Sequence, residues 1–270
     1  MITRLTNFCG KLGRGSNTAF AEVSRLSGLI KESLYWIFVA PFSGLRGLRR
    51  DAFSRQLVFV GNESVFIICL VGASVGAVLA LQAAYQLKQF GALLYTGALV
   101  SVSLTRELGP VMAGIVLAGR VGASVAAELG TMRVQEEVDA LMTIGVPPVP
   151  YLVVPRILAM AIMLPCLTVL ANLVGMIGGY LIGVLGLGIS SGMYIQVSFD
   201  ALASKDIWTG LAKSLVFALI VGLISTYQGL SVKGGAEGVG KATTQSVVYS
   251  VIAIIIADCI CTALFFYVLP

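Results

Sequence analysis

The longest uncharged run in the sequence covers residues 157–199, where 43 consecutive residues include no Asp, Glu, Lys or Arg. As a single helix this run would be about 65 Å long, twice the thickness of the hydrocarbon core of a bilayer. We therefore predict one long span over about 151–186, followed by a short connection rich in Gly and Ser. A further 24 uncharged residues separate Glu63 from Lys88, which is enough for another crossing.

Composition places most of the chain in lipid. Of its 270 residues, 57% are hydrophobic and only 11% are charged, whereas a soluble domain carries about a quarter charged residues. The sequence contains no His, which excludes Ser-His hydrolases, HExxH metalloproteases and His-ligated haem or di-iron sites. We predict an all-α membrane protein with five transmembrane helices, an N-terminal amphipathic interfacial helix and a cytoplasmic coupling helix.

The uncharged runs and the polar segments between them predict where these elements lie. A basic N-terminal segment covers residues 1–61 and the membrane domain covers residues 62–270. The predicted spans are about 64–87, 106–128, 151–186, 207–230 and 244–269, and the coupling helix is about 131–145. Small residues recur at every fourth position within spans, as at Gly72, Gly76, Ala80 and Ala84. Such stripes let helices approach closely in lipid, which indicates a tightly packed and oligomeric bundle.

The first 55 residues carry nine of the 18 Lys and Arg against three acids. Apolar residues recur there at helical spacing, at Val23, Leu26, Ile30, Leu34 and Ile37. The pattern favours an amphipathic helix on the anionic cytoplasmic leaflet over a basic arm for nucleic acid, in which an apolar face would have no role. The positive-inside bias places the N-terminus and the loops around Arg133 and Lys233 in the cytoplasm.

Residues 235–243 approach the phosphate-binding motif G-x-x-x-x-G-K-[ST], but Ala242 occupies the position that would bind Mg²⁺. A membrane helix, not a strand, precedes the motif, and too few residues follow it for a nucleotide-binding fold. We predict a cytoplasmic turn in which Thr243 or Thr244 caps the fifth span. The chain is accordingly expected to hold no catalytic residue, metal site or cofactor of its own.

The stretch 128–156 carries a short amphipathic pattern between the second and third spans. One helical stripe consists of Val134, Val138 and Leu141, and acidic residues lie on other faces. Gly145 and the prolines that follow it end the helix. Periodicity alone leaves two interpretations open, a solvated connector and a docking handle for a partner protein. In the second, the docking residues are Arg133, Glu136, Glu137, Asp139 and Leu141.

Five segments carry a specific resemblance. They read RQLVFVGNES (55–64), VGAVLALQ (75–82), RELGPVMAGIVLAGRVGASVAAELGTM (106–132), EEVDALMTIGVPPVPYLVVPR (136–156) and GVGKATTQSVV (238–248). In this order and spacing the chain resembles the MlaE/YrbE family, the permease subunits of ABC transporters that work with MCE proteins. The resemblance covers roughly residues 50–269, and the preceding residues share with the family only their basic, amphipathic character.

The resemblance implies a homodimeric permease that lacks its own ATPase site. Its implied partners are an ABC ATPase, which holds ATP and Mg²⁺, an MCE-domain protein on the opposite side and a small STAS-type regulatory subunit. The implied substrate is a phospholipid or related lipid, moved between the inner membrane and an outer envelope layer. The implied location is the bacterial inner membrane, with the N-terminus cytoplasmic, rather than the chloroplast inner envelope.

Ionisable residues inside spans are costly and are usually functional or paired. Arg106 and Lys213 lie at a similar depth near the non-cytoplasmic side. One interpretation is a cationic pair that holds a lipid phosphate, with Glu107 as counter-charge, and the other is a set of ion pairs that locks helices together.

Three further charged residues lie within spans: Arg120, Glu128 and Asp258. We interpret them as structural, paired with neighbouring helices, and for Asp258 we expect a Ser, Thr or Gln partner. Two other functional classes remain as alternatives. A proton-coupled secondary transporter would depend on these three residues but usually shows internal repeats, which we do not find. An intramembrane lipid-modifying enzyme would need clustered acids, and the acids here are scattered singly.

Overall fold

A computed structural model describes residues 27–29, 31–33, 35–36 and 50–268. These residues form helices and turns without strands, and five helices are long and apolar enough to cross a membrane, which confirms the predicted class. The predicted interfacial helix lies largely outside the described residues. Those described between 27 and 36 are helical.

From residue 50 onward the helices follow one another through short connections. They are α1 (Arg50–Val60), α2 (Val65–Gln89), α3 (Leu93–Val134), α4 (Glu137–Thr143), α5 (Val149–Gly186), α6 (Ser191–Ala201), α7 (Ser204–Leu230) and α8 (Gly235–Val268). The spans are α2, α3, α5, α7 and α8. Because they alternate in direction, the short helices α4 and α6 lie at opposite ends of the bundle, which we call the α4 side and the α6 side.

Two elements begin earlier than the sequence pattern predicts. Helix α3 begins at Leu93 rather than near residue 106, because uncharged residues lead into it and its Arg-Glu pair finds partners within the bundle. Helix α8 begins at Gly235, so the turn expected over residues 235–243 is wrong. The Thr243 hydroxyl donates to the Val239 carbonyl at 2.8 Å inside the helix and therefore does not cap it.

Helices α2 and α5 pack with their backbones almost in contact. A Cβ atom added at Gly76 would lie 1.9 Å from the carbonyl oxygen of Gly175, and one added at Gly72 would lie 2.8 Å from that of Ala171. In lipid, where no hydrophobic force drives helices together, such close approach supplies the dispersion contacts that hold them. The stripe of small residues in α2 is therefore one half of a helix–helix interface.

Helix α3 lies at the centre of the bundle and contacts α2, α5, α7 and α8. Its inward residues are fully buried, among them Leu117, Val121, Val125 and Leu129. Phe217 of α7 and Ile254 of α8 complete the same apolar core. At the α6 side, α6 packs against the first turns of α3 and places the Tyr194 ring against Gly183. Burial raises the pKa of Tyr194 to about 12, so this phenol stays neutral.

We expect Gly76→Val to destabilise the protein by about 2 kcal/mol or more, because its side chain would displace the α5 backbone. Loss of thermal stability of the detergent-purified protein measures the effect. Gly119→Ala is the matched control, since a Cβ there meets nothing within 4 Å. Equal melting temperatures for the two variants would contradict the backbone contact.

Candidate functional site

A buried lysine joins three spans near the α6 side. Lys213 of α7 is only 1% exposed, and its ammonium group donates to the carboxylate of Glu107 in α3. The same nitrogen donates to Asp258 Oδ1 at 2.9 Å and to Thr262 Oγ1 at 2.7 Å, both in α8. An ammonium group has three N–H donors, so each has an acceptor. Lys213 therefore binds α3, α7 and α8 to one another.

The neighbouring cation has a different environment. Arg106 Nε lies 3.5 Å from Asp206 Oδ1, and the other carboxylate oxygen accepts the Ala203 N–H at 3.0 Å at the start of α7. The Arg106 side chain is 41% exposed, whereas that of Asp206 is 6% exposed. Arg106 is thus the cation of this group whose surface remains available to a ligand.

The backbone of α3 is specialised where these side chains leave it. Residues Leu104–Leu108 form a π-helical turn, a feature that is common at functional sites. A Cβ atom at Gly210 would lie 2.1 Å from the Thr105 carbonyl oxygen, so α7 approaches the turn without a side chain between. This contact brings Lys213, three residues further along α7, level with Glu107.

These side chains form what we call the Lys213 cluster, consisting of Arg106, Glu107, Asp206, Lys213, Asp258 and Thr262. With all its ionisable members charged it contains two cations and three carboxylates, and thus a net charge of −1. A small cavity touches Arg106, Glu107 and Lys213. The arrangement offers a half-exposed guanidinium to an anion and excess carboxylate to a cation or proton, while the Lys213 donors are already used.

The structure brings together the three residues that sequence depth had grouped, Arg106, Glu107 and Lys213. It also places Asp258 on Lys213, not on the Ser, Thr or Gln that we expected. Asp258 and Thr262 are four residues apart and therefore share one face of α8. That spacing is a signal that sequence reasoning missed.

Arg120 fixes the junction between α1 and α2. It lies in a second π-helical turn of α3, Ala118–Gly122, and donates to the Phe59 carbonyl at 3.1 Å and to Ser64 Oγ at 2.6 Å. It also forms an ion pair with Glu63, and its guanidinium carbon lies 5.3 Å from the centre of the Phe59 ring. A residue deep in α3 thereby sets the angle at which the chain enters its first span.

Glu128, two turns further along α3, contacts a different helix. Its Oε1 lies 2.7 Å from an Arg156 Nη atom at the start of α5. Arg120 and Glu128 therefore brace α3 against two neighbours at two depths on the α4 side.

The predicted coupling helix is shorter than expected. Helix α3 continues to Val134, Glu136 adopts a left-handed φ of 60°, and α4 covers only Glu137–Thr143. The expected stripe is therefore broken, because Val134 belongs to α3 and is 40% exposed. Val138 is buried and Leu141 packs against the core.

An ion pair between Arg133 of α3 and Asp139 of α4 spans the break. The outer surface near α4 then presents the acids Glu136 and Glu137 together with Met142 and Ile144, which is 72% exposed. We call this surface the α4 face. It is a mixed acidic and apolar patch on a helix that is tied to the central span.

Comparison with known proteins identifies similar sequences over most of the chain. The family described as Permease MlaE matches residues 53–264. A probable ABC transporter permease protein of Rickettsia felis is 42% identical over 265 residues, which cover 98% of this chain and 96% of the relative. A probable ABC transporter permease protein of Synechocystis is 43% identical over 203 residues, covering 75% and 77% of the two chains.

A plant protein is also similar. Protein Trigalactosyldiacylglycerol 1, chloroplastic, of Arabidopsis thaliana is 37% identical over 212 residues, which cover 78% of this chain and 61% of the plant protein.

We expect Lys213→Met to cost about 3 kcal/mol of stability, because it leaves two carboxylates in the bundle without their cation. Adding Glu107→Gln and Asp258→Asn to the same variant removes those charges and should restore much of the loss. Arg106→Gln, at a half-exposed position, is the milder comparison. Thermal unfolding in detergent measures all three, and a triple variant less stable than Lys213→Met would contradict the assignment.

Proposed function

Because the chain belongs to the MlaE permease family and is a transporter permease of the ABC type, we propose that it moves a phospholipid or related lipid between the inner membrane and an outer envelope layer. The observation that carries the proposal is the Lys213 cluster, a group of charges inside the bundle that includes a half-exposed arginine. The name of the Arabidopsis relative, which contains that of a glycerolipid, supports a lipid substrate.

The headgroup contact belongs at Arg106, with Lys213 and Glu107 behind it. A phosphate in a low-dielectric site needs a cation with free donor capacity, and the exposed part of the Arg106 guanidinium supplies it. The excess carboxylate of the cluster suits an ammonium group on the same headgroup. Arg120, Glu128 and Asp258 brace helices and do not contact the transported lipid.

The working unit is a homodimer in which α8 meets a second copy. In the most apolar stretch of α8, only 11% of the residues are buried within one chain. This is the lowest fraction among the five spans in the described residues. Its outer face carries large apolar side chains, including Ile252, Ile256, Ile260 and Leu264. A second copy on this face would place an apolar chamber for acyl chains beside the Lys213 cluster.

The energy for transport comes from a separate ABC ATPase, which binds ATP and Mg²⁺ and docks on the α4 face. The permease lies in the inner membrane, and its α4 side and its N-terminus face the cytoplasm. An MCE-domain protein receives or delivers the lipid at the α6 side, and a small STAS-type subunit regulates the ATPase. The Arg133–Asp139 ion pair joins α4 to α3 across the break at Glu136, so a force on the α4 face reaches the span that carries Glu107.

A proton-coupled secondary transporter is the second candidate, because the Lys213 cluster has one carboxylate more than its cations neutralise. Lipid transfer in vesicles that contain the permease and its ATPase separates the two mechanisms. We expect transfer to require ATP and to continue when the proton gradient is dissipated. Transfer that follows the proton gradient without ATP would contradict the ABC mechanism.

Charge reversal of both exposed acids, Glu136→Lys with Glu137→Lys, should weaken ATPase binding about tenfold, because it removes the acidic part of the docking surface. Stoichiometric copurification in mild detergent measures the effect. Glu237→Lys is the matched control, an exposed acid near the start of α8 and outside the α4 face. Normal copurification by the double variant would show that the ATPase docks elsewhere.

Arg106→Ala should weaken phospholipid retention about tenfold without changing the dimer, because it removes the free phosphate donor. Arg106→Glu should weaken it further. Lys205→Ala, an exposed cation at the start of α7, is the control. Phosphorus per purified dimer and melting temperature are measured together, and unchanged phosphorus in a destabilised Arg106→Ala protein would refute the headgroup contact.

A further inference from the structure

A second polar cavity lies at the opposite end of the bundle from the Lys213 cluster. It has a volume of about 310 Å³ and is bordered by α1, the last turns of α3 and the start of α5. That volume is within the range of sites for small ligands, about 300–1,000 Å³. The polar residues that line it are Arg55, Gln56, Glu128, Tyr151 and Arg156.

Arg156 is the buried group of this cavity. The residue is 5% exposed, and its two terminal nitrogens bond Glu128 at 2.7 Å and the Leu152 carbonyl at 2.6 Å. Its Nε has no hydrogen-bond partner within the part of the chain that the structure describes. A buried guanidinium with an unused donor is costly, and such groups call for an explanation.

Gln56, on the facing helix α1, is in a similar environment. Its Oε1 position is also buried and, among the described residues, without a partner. The oxygen and nitrogen of a Gln amide have the same shape, so this position can equally present an N–H donor. The two residues that carry these atoms therefore lie on two walls of one cavity.

Two cations and one carboxylate line the cavity. Arg55 and Arg156 are the cations, and the carboxylate of Glu128, which pairs with Arg156, is half-exposed to solvent. Two guanidinium groups with amide and phenol donors beside them match the oxygens of a phosphate group. We propose that this cavity binds a phosphate-bearing anion, and specifically the headgroup of an anionic phospholipid from the leaflet on the α4 side.

The surface beside the cavity favours a lipid over a free anion. At 3.6 residues per turn, Tyr151 and Pro155 share a face of α5 with Ile162, Val169 and Leu173. These last three side chains are 48%, 42% and 50% exposed and form an apolar stripe along the span. A headgroup in the cavity would direct its acyl chains along this stripe.

A lipid held there would contact α1, α3 and α5 at once. It would fasten α1, the helix that leads into the first span, to the start of α5. This role is independent of the transported substrate, which we place at the Lys213 cluster on the α6 side.

The test is native mass spectrometry of the full chain in mild detergent, titrated with dioleoyl phosphatidylglycerol or dioleoyl phosphatidylcholine. We expect the wild type to retain phosphatidylglycerol at about tenfold lower concentration than phosphatidylcholine. Arg55→Gln with Arg156→Gln should lose this preference. Because Arg156→Gln leaves the Glu128 carboxylate without its partner, a second variant also removes that carboxylate. It combines Arg55→Gln, Glu128→Gln and Arg156→Gln.

Lys233→Gln is the matched control, because it removes an exposed positive charge on the same side but outside the cavity. It should retain the wild-type preference. A parallel titration with inorganic phosphate distinguishes a lipid headgroup from a free anion as the ligand. Phosphate binding that the cavity variants lose, without a preference between the two lipids, supports the anion site with a free anion as its ligand. The proposal is overturned if folded cavity variants keep the preference. It is also overturned if the wild type shows neither lipid preference nor phosphate binding.

Discussion

A lysine ammonium group inside a membrane bundle must have every donor bonded, and the architecture at the α6 side follows from how Lys213 meets this demand. Its acceptors come from α3 and α8, while its own helix is α7, so three spans are held at one point. Helix α8 packs on α3 and α7 along its length, and this point adds hydrogen bonds to Asp258 and Thr262 to that packing. Removing the lysine leaves its carboxylate partners without a counter-charge inside the membrane. An unpaired charge there costs more free energy than the paired cluster does.

Helix α3 connects the two sides of the protein. It carries Arg106 and Glu107 near one end, where both pair with α7, Arg120 in the middle, which pairs with Glu63, and Arg133 at the other end, which pairs with α4. Two π-helical turns interrupt its regular winding at the positions of the first two contacts. Such turns are common at functional sites, which agrees with the proposal that this span links a docking surface to a ligand site.

Packing elsewhere leaves little room for movement. The backbones of α2 and α5 meet at glycines, and core side chains of α3 and α7 are fully buried. The exposed apolar surface of α8, by contrast, has no partner helix within the described part of the chain on its outer face. Close packing of α2 on α5 and an exposed apolar face on α8 are both compatible with the proposed dimer, in which the lipid chamber lies between the subunits.

The sequence by itself determined the number of spans, because uncharged runs of such length are stable only in a bilayer, where a helix satisfies its own backbone. It also determined the close packing of α2, through glycines at every fourth position, and the family, through five ordered segments. The sequence also placed Arg106, Glu107 and Lys213 at a similar depth, because charges near the same end of neighbouring helices lie at one level in the membrane.

The tertiary structure decided which charges are partners. Asp258 and Lys213 are 45 residues apart, and no local pattern relates them; only the packing of α8 on α7 makes them a pair. The same holds for Arg120 with Glu63 and for Arg156 with Glu128. The break before α4 also escaped the sequence pattern, because hydrophobic periodicity continues across Glu136, whereas its left-handed backbone separates the two helices and Asp139 pairs with Arg133. Periodicity records which face of a helix is apolar, and pairing depends on how rigid helices meet in space.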